Sequence, residues 1–373
     1  MNFDFSDEQR ALQDSVRRML ADTSTSSEVR NVLEGRAAYS RATWRQLLAM
    51  GAATAALPEQ YGGAGLSYLE LCLVAEEAGR HLAAAPLATG IYLAAEALAL
   101  GGSDEQKQRW LPRIASGEII ATAAFSSGER LLKNALHFDG DSLRGAIATL
   151  VDGASAQLAV VQAGDAVVLV ELDSDRVKRT PLAAIDPTRP VARVEFDAVP
   201  AVALSGALRG RPLVERVVNG AAVLIAFEQV GGAARCLEIA RDYSLERTAF
   251  GRQIGSFQAI KHKLADIYTR NELARVHAYY GAWALASNAP ELALAAAAAR
   301  VAATTAYNFA AEESIEVHGG IGFTWELDCH LYLRRARHLG HLLGSEHRWR
   351  ERIAAALIAG ADDLIANANE EAA

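Results

Sequence analysis

Two changes in the spacing of apolar residues constrain the fold of this chain more than anything else in it. From the N-terminus to about residue 116 the apolar residues recur with a helical period. From Glu118 they fall into short runs rich in Val, Ile and Ala, and from about Pro212 the helical spacing returns and holds to the end. A 3.6-residue period buries one face of a helix, whereas short β-branched runs between turn residues suit strands. The chain must therefore set a β unit between two helical ones. Its expected class is α+β, with an N-terminal helical domain (1–117), a middle antiparallel β domain (118–208) and a C-terminal four-helix bundle (209–373).

Local signals support each part. Ser6 with Gln9, Ser67 with Glu70 and Ser103 with Gln106 have capping-box spacing. Each precedes a helical pattern, and Leu12, Val16, Met19 and Leu20 fall on one face of the first. Between the first two lies an apolar entry and a glycine loop, Leu57-Pro58-Glu59-Gln60-Tyr61-Gly62-Gly63, read as a connector with no catalytic role for Glu59 or Tyr61. Strands are expected over 119–125, 143–151, 157–162, 166–172 and 191–196, with Asp139-Gly140, Asp152-Gly153 and Gly164-Asp165 as turns. Helices are expected over 212–243, 257–287, 289–317 and 345–368, joined by short loops as in an antiparallel bundle. The tail at 370–373 is expected to fray.

Composition excludes several classes. Net charge is −8 and no long basic run occurs, which argues against a general nucleic-acid binder. Cys72, Cys236 and Cys329 lie far apart without paired spacing, so neither a disulfide framework nor a metal site is expected, and the setting is read as reducing cytoplasm. Asn2-Phe3-Asp4 lacks the basic start of a secretory signal. The Ala-rich run 292–306 is broken by Arg and Thr, too short to span a bilayer, and reads as a bundle helix.

The stretch most suggestive of chemistry is Arg247-Thr248-Ala249-Phe250-Gly251-Arg252-Gln253-Ile254-Gly255-Ser256-Phe257-Gln258. Gly251 and Gly255 interrupt a helical pattern, and Ser256 suits an N-cap for the next helix, whose first N–H groups could receive an anion. Arg247 supplies a fixed cation suited to phosphate, Phe250 an apolar face for a ring, and Gln258 an amide for an oxygen. A second loop, His318-Gly319-Gly320-Ile321-Gly322-Phe323, can bring bare backbone close to a ligand. Together these suit a dinucleotide. They also suit a helix-hairpin turn with a surface arginine, and the residues alone leave both open.

These segments resemble the acyl-CoA dehydrogenase family, and the likeness covers nearly the whole chain. Pro58-Glu59-Gln60-Tyr61-Gly62-Gly63 and Ile185-Asp186-Pro187-Thr188-Arg189 resemble family segments of the N-terminal and middle domains. The resemblance implies FAD as cofactor, its ADP half held by Arg247, Phe250, Gln258, Gly319 and Gly320, largely towards a neighbouring subunit. Glu316 stands where the family usually has Gln. It also implies an acyl-CoA thioester substrate, an electron-accepting protein, and a dimer or tetramer built on the C-terminal bundle, with no membrane span. Family chemistry is α,β-dehydrogenation, in which a glutamate removes the α-proton as the β-hydrogen leaves as hydride to the flavin.

The two places where the family carries that glutamate fall here on Leu343, followed by Gly344 and Ser345, and on Ala221, followed by Ala222. Neither side chain accepts a proton. Glu215-Arg216 lies six residues before Ala221, a rotation of about 240° on a helix, and reads as a solvated pair. Glu346 reads as a helix-start carboxylate. The family's flavin loop corresponds to Phe125-Ser126-Ser127-Gly128-Glu129-Arg130, and its aromatic and hydroxyl partners of the ring to Thr149 and Val151. This resembles the subunit of bacterial α2β2 steroid-type dehydrogenases that donates flavin contacts and lacks the base. The other reading is a homo-oligomer of the same fold with a binding or structural role, or different flavin chemistry.

Overall fold

The N-terminal helices begin where their caps place them. A computed structural model describes residues 5–125 and 136–371, with side chains up to residue 358. In it α1 (Asp7–Thr23), α2 (Ser26–Leu33), α3 (Arg41–Ala49) and α4 (Tyr68–Arg80) are followed by a π-helical stretch, Leu87–Ala95, that runs into α5 (Glu96–Gly101) and then α6 (Asp104–Ala115). The capping boxes at Ser6, Ser67 and Ser103 all form, each side-chain pair satisfying backbone N–H groups that the first turn leaves open. Every residue of the π-helical stretch is buried, so it serves as core rather than surface.

Among the described residues the middle region forms a seven-stranded sheet. Its strands are β1 (Ala121–Ala124), β2 (His137–Phe138), β3 (Ser142–Val151), β4 (Leu158–Ala163), β5 (Ala166–Glu171), β6 (Val177–Leu182) and β7 (Val191–Ala203). They follow the order β1-β4-β5-β7-β3-β2, with β6 also on β7. The sheet departs from the expected antiparallel pattern at one place, because β1 pairs β4 in parallel. Gln157 sets that register: its N–H donates to Ile120 O at 2.9 Å, and its side-chain oxygen accepts from Ile120 N at 2.8 Å. β6 was not expected. Its residues, Val-Lys-Arg-Thr-Pro-Leu, are mostly exposed, and an edge strand needs no apolar run. β7 runs on to Ala203, well past the expected end at residue 196, because its last residues switch partner from β3 to β5.

Among its described residues the C-terminal part holds five α-helices, one more than expected. They are α7 (Gly210–Glu246), α8 (Gln258–Ala286), α9 (Leu292–His318), α10 (Cys329–His341) and α11 (Glu346–Glu371), with a small hairpin of β8 (Thr248–Ala249) and β9 (Arg252–Gln253) between the first two. α10 is the addition. It buries Leu331, Tyr332, Arg335, Ala336 and Leu339, a helical face interrupted by the arginine, which hid it in the sequence. α7 is long and apolar enough to cross a membrane by length and composition, but 94% of its apolar window is buried inside the protein, as for a core helix. The alanines at 295–297, 299 and 303 are buried and belong to the core of this chain. The expected fraying of the tail at 370–373 concerns residues whose side chains lie outside those described.

Two glycines let α4 and α7 cross at backbone contact. A Cβ at Gly79 would lie 1.8 Å from Glu228 O, and one at Gly231 1.9 Å from Glu76 O. Beside that crossing sits a buried ion cluster. Glu228 accepts from Arg189 at 2.6 Å and Arg335 at 3.2 Å, and Arg335 also binds Asp186 at 2.6 Å and Thr188 at 2.8 Å. Arg189 reaches Ala85 O. The cluster thus ties the loop after α4, the segment 186–189 and the bundle together, with all four charged side chains 3% exposed or less. Burial pushes the Asp186 carboxyl up, but Arg335 beside it more than offsets this and holds it below the usual range. The three cysteines are free and buried, and no metal-ligating cluster occurs among the described residues.

Candidate functional site

One end of the bundle brings together the two loops singled out in the sequence. α7 ends at Glu246, and Arg247 closes it: its N–H donates to Tyr243 O, and its carbonyl accepts from Ile254 N, both at 2.9 Å. The hairpin of β8 and β9 turns at Phe250 and Gly251, whose φ angles are +52° and +79°. Two successive left-handed residues make the tight turn that matches strand twist. Glycine takes this conformation freely, but for Phe250 it costs on the order of 1–2 kcal/mol. The strained turn presents the Phe250 ring 95% exposed, edge-on to Phe257 at 6.2 Å.

The expected cap at Ser256 is not formed. A 3₁₀ turn spans Ile254–Ser256, the Ser256 hydroxyl donates back to Gln253 O at 2.6 Å, and α8 starts at Gln258 without a side-chain cap. The tight turn uses the serine locally, as this residue type does in turns. The first N–H groups of α8 thereby stay uncapped beside the exposed Gln258.

The second loop follows α9. His318 is buried, and its Nδ1 lies 2.6 Å from Ser314 O. Burial lowers its affinity for a proton, partly countered by that carbonyl. Its ring stacks on Tyr243 at 4.3 Å, joining the last turns of α7 and α9. Gly319 has φ +63° and ψ −139°, a conformation essentially confined to glycine. Space is open where a Cβ would stand on either Gly319 or Gly320, so the backbone there can be approached closely. Arg247 is exposed and has no side-chain partner among the described residues. Glu316 is not a lone anion beside this loop. Lys263 binds it at 2.9 Å and Glu313 at 2.5 Å, bridging α8 to α9.

A free guanidinium, uncapped helix N–H groups, bare Gly-Gly backbone and an exposed ring at one end of the bundle are the donor set that a pyrophosphate with an attached ring requires. These residues fit the ADP half of FAD.

The acid–base side of the site is different. Ala221 and Ala222 are fully buried in α7. Leu343, at φ +66°, and Gly344, at φ +105°, turn the chain between α10 and α11. Glu215 accepts from Arg211 one helical turn away at 2.7 Å, on the surface. Its sequence neighbour Arg216 points elsewhere, to Glu96 at 3.9 Å and over the Tyr68 ring. Glu346, in the first turn of α11, accepts from Arg350 at 2.5 Å and from Thr305 at 3.3 Å. Thr149 and Val151 lie on β3, Thr149 exposed. The flavin-loop positions from Ser126 to Arg130 lie outside the described residues.

Sequence reasoning missed Glu96. Its carboxylate accepts from Tyr68 at 2.6 Å and faces a cavity of about 10 Å³ lined with Tyr92, Gly220 and Leu224. Burial raises its pKa, and Tyr68 and Arg216 partly offset this. Gly220, the residue before Ala221, lines the same cavity, and the Glu96 side chain is 12% exposed. No local pattern marks it, because Tyr68 and Arg216 reach it only through the fold.

Comparison with known proteins matches residues 6–118 to "Acyl-CoA dehydrogenase, N-terminal domain" and residues 209–358 to "Acyl-CoA dehydrogenase, C-terminal domain". The chain is similar to acyl-CoA dehydrogenase IpdE2 of Mycobacterium tuberculosis, 35% identical over 344 residues covering 91% of this chain and 94% of that one. Among solved structures it is similar to the ChsE4-ChsE5 complex from Mycobacterium tuberculosis, with TM-score 0.87 and 27% identity over 96% of this chain and 99% of that chain. A variant of the Tcur3481-Tcur3483 steroid ACAD matches with TM-score 0.86 and 29% identity, over 95% of this chain and 99% of that chain.

Proposed function

We propose, from the premise that this chain belongs to the acyl-CoA dehydrogenase family, that it works as the subunit that lends ADP-half contacts to an FAD whose ring and catalytic base reside in a homologous partner. As a family member it is an oxidoreductase with FAD as cofactor. The observation that carries the proposal is the asymmetry of its site. The Arg247 and Gly319-Gly320 loops stand together at an exposed bundle end, while Ala221 and Leu343 leave the two usual base positions without a proton acceptor.

FAD, when bound, supplies the hydride acceptor for α,β-dehydrogenation. What this chain's residues do is bind and orient. Arg247 neutralises a phosphate with a forked donor, the start of α8 adds N–H groups, and Gly319-Gly320 admits the ligand to backbone distance. Phe250 covers a ring face, and Gln258 offers an amide to an oxygen. An oligomeric setting is supported by α8, where Leu273, Val276 and Tyr280 make an exposed apolar stripe at helical spacing, 60%, 66% and 36% exposed. A bulky, steroid-type acyl-CoA is the substrate class that the relatives' names favour. An electron-accepting protein completes the cycle.

The test is flavin content and turnover, for the chain purified alone and co-expressed with a homologue that carries the base. The chain alone is expected to be colourless and inactive on bulky and linear acyl-CoA with an artificial electron acceptor. The pair is expected to be yellow and active. Leu343→Glu should not rescue the lone chain, because a positioned base contributes roughly 10²–10⁴-fold only on an oriented cofactor. Turnover by the lone chain that disappears on Glu96→Gln, Glu215→Gln or Glu346→Gln would instead identify a complete homomeric dehydrogenase.

A further inference from the structure

Helix α3, remote in sequence from the flavin loops, carries charges that oppose it. Arg41 is its first residue, no acidic residue occupies the first turn, and Arg45 follows one turn later. A cation at a helix start opposes the dipole, and like charges at this spacing repel. Both side chains are exposed, and neither has a carboxylate partner among the described residues. Of the carboxylates nearby, Glu34 pairs with Arg36 and Glu118 with Arg113, while Glu28 accepts from the Ser40 hydroxyl at 3.3 Å. Ser40 caps only the N–H of Thr43, at 3.3 Å, so the N–H groups of Arg41 and Ala42 remain at the open start of the helix.

These donors face a cleft of about 680 Å³ lined by Tyr39, Arg41, Trp44, Arg45, Leu48 and Gly117. Through Tyr39, Arg41 and Gly117 it adjoins a second cleft of about 620 Å³, which reaches Ser155 and Gln157 at the edge of the sheet. Trp44 is 4% exposed, and its indole Nε1 has no acceptor. Gly117, at φ +75°, packs tightly against Leu48 beside that donor. A Cβ on it would stand 2.5 Å from Leu48 Cδ1 and 3.5 Å from Trp44 Nε1. Each cleft has the size of a small-molecule site, and the buried indole donor lacks an acceptor.

We propose that this cleft binds a small organic oxyanion, a phosphate ester or a carboxylate. The head group lies between Arg41 and Arg45 at the start of α3, takes the Trp44 N–H, and lets the organic body run past Tyr39 towards the sheet. A bound oxyanion would relieve both the repulsion along α3 and the unpaired indole. The proposal stands apart from the flavin reading, since none of these residues belongs to the Arg247 or Gly319-Gly320 loops.

The experiment is calorimetric titration of the full chain at low salt with adenosine diphosphate, inorganic phosphate and succinate. Saturable one-to-one binding is expected, weakened roughly tenfold or more by Arg45→Gln, the loss of one charge-assisted contact. Trp44→Phe keeps the ring and removes the N–H, and should weaken binding severalfold. Arg109→Gln, which alters a surface arginine outside the cleft, should change nothing. Tighter binding of the phosphates identifies a phosphate ligand, and tighter binding of succinate a carboxylate. Thermal melts of each variant establish that it is folded, and if Trp44→Phe fails to fold, Arg45→Gln decides alone. Absence of saturable binding overturns the proposal. So does binding insensitive to Arg45→Gln, or nucleotide binding lost only on Arg247→Ala, which would assign it to the flavin loops.

Discussion

Arg247→Ala isolates the contribution of one side chain to cofactor retention. The backbone of residue 247 has structural duties, its N–H closing α7 onto Tyr243 and its carbonyl receiving Ile254, and alanine preserves both. The side chain is exposed and unpaired among the described residues, so its removal should change folding stability by about 0.5 kcal/mol or less. On the ligand side the loss is one charge-assisted hydrogen bond to a phosphate, about 1.5–3 kcal/mol. At 1.36 kcal/mol per decade this raises the FAD dissociation constant by roughly 13- to 160-fold. The assay is flavin fluorescence titration of the assembled oligomer, with a thermal melt of the same sample as control. Arg247→Lys should recover part of the loss, because the charge returns without the fork. An FAD dissociation constant within about twofold of wild type, in a folded oligomer, would refute the assignment of Arg247 to the pyrophosphate.

Three further outcomes follow from the same geometry. Glu316→Gln should tighten FAD binding by only about two- to fivefold, since Lys263 already neutralises that exposed carboxylate and a surface charge is worth roughly 0.3–1 kcal/mol; weaker binding would show that the Lys263 bridge holds the loop in shape. Glu228→Gln should cost about 3–5 kcal/mol, because it strips a buried carboxylate from Arg189 and Arg335. At about 2.1 cal/mol/K per residue over 373 residues, this lowers Tm by about 4–6 °C in a calorimetric scan, and a shift under 1 °C would contradict it. The His338 imidazole is pushed down to about 4, chiefly by burial, and its Nε2 has no partner. The unfolded ring titrates near 6.5, so the stability of the neutral form is complete above that pH. It is lost as pH falls towards 4, by roughly 3 kcal/mol. Denaturant midpoints at pH 7 and pH 5 should therefore converge in His338→Gln relative to wild type.

What the sequence determined by itself was what acts within a few residues. The capping boxes at Ser6, Ser67 and Ser103 were legible because each closes on a residue three positions away. The long helices and most strands were legible from the period of their apolar residues. Arg247, Phe250, Gly319 and Gly320 were legible as unusual residues in loops, although Ser256 was misread because a tight turn competed for its hydroxyl. Only the tertiary structure decided the rest. The parallel pairing of β1 with β4 depends on Gln157 meeting Ile120, and the polar edge strand β6 exists because β7 offers it a partner. α10 hides its helical face behind Arg335, which is buried only because Asp186 and Glu228 arrive from distant parts of the chain. The Tyr243–His318 stack, which brings two loops to one bundle end, and the hydrogen bond from Tyr68 to Glu96 have the same origin. A local pattern can report backbone preference and the face a residue presents. It cannot report which charge or ring will be desolvated against which, because that free energy exists only once packing has removed water from both partners.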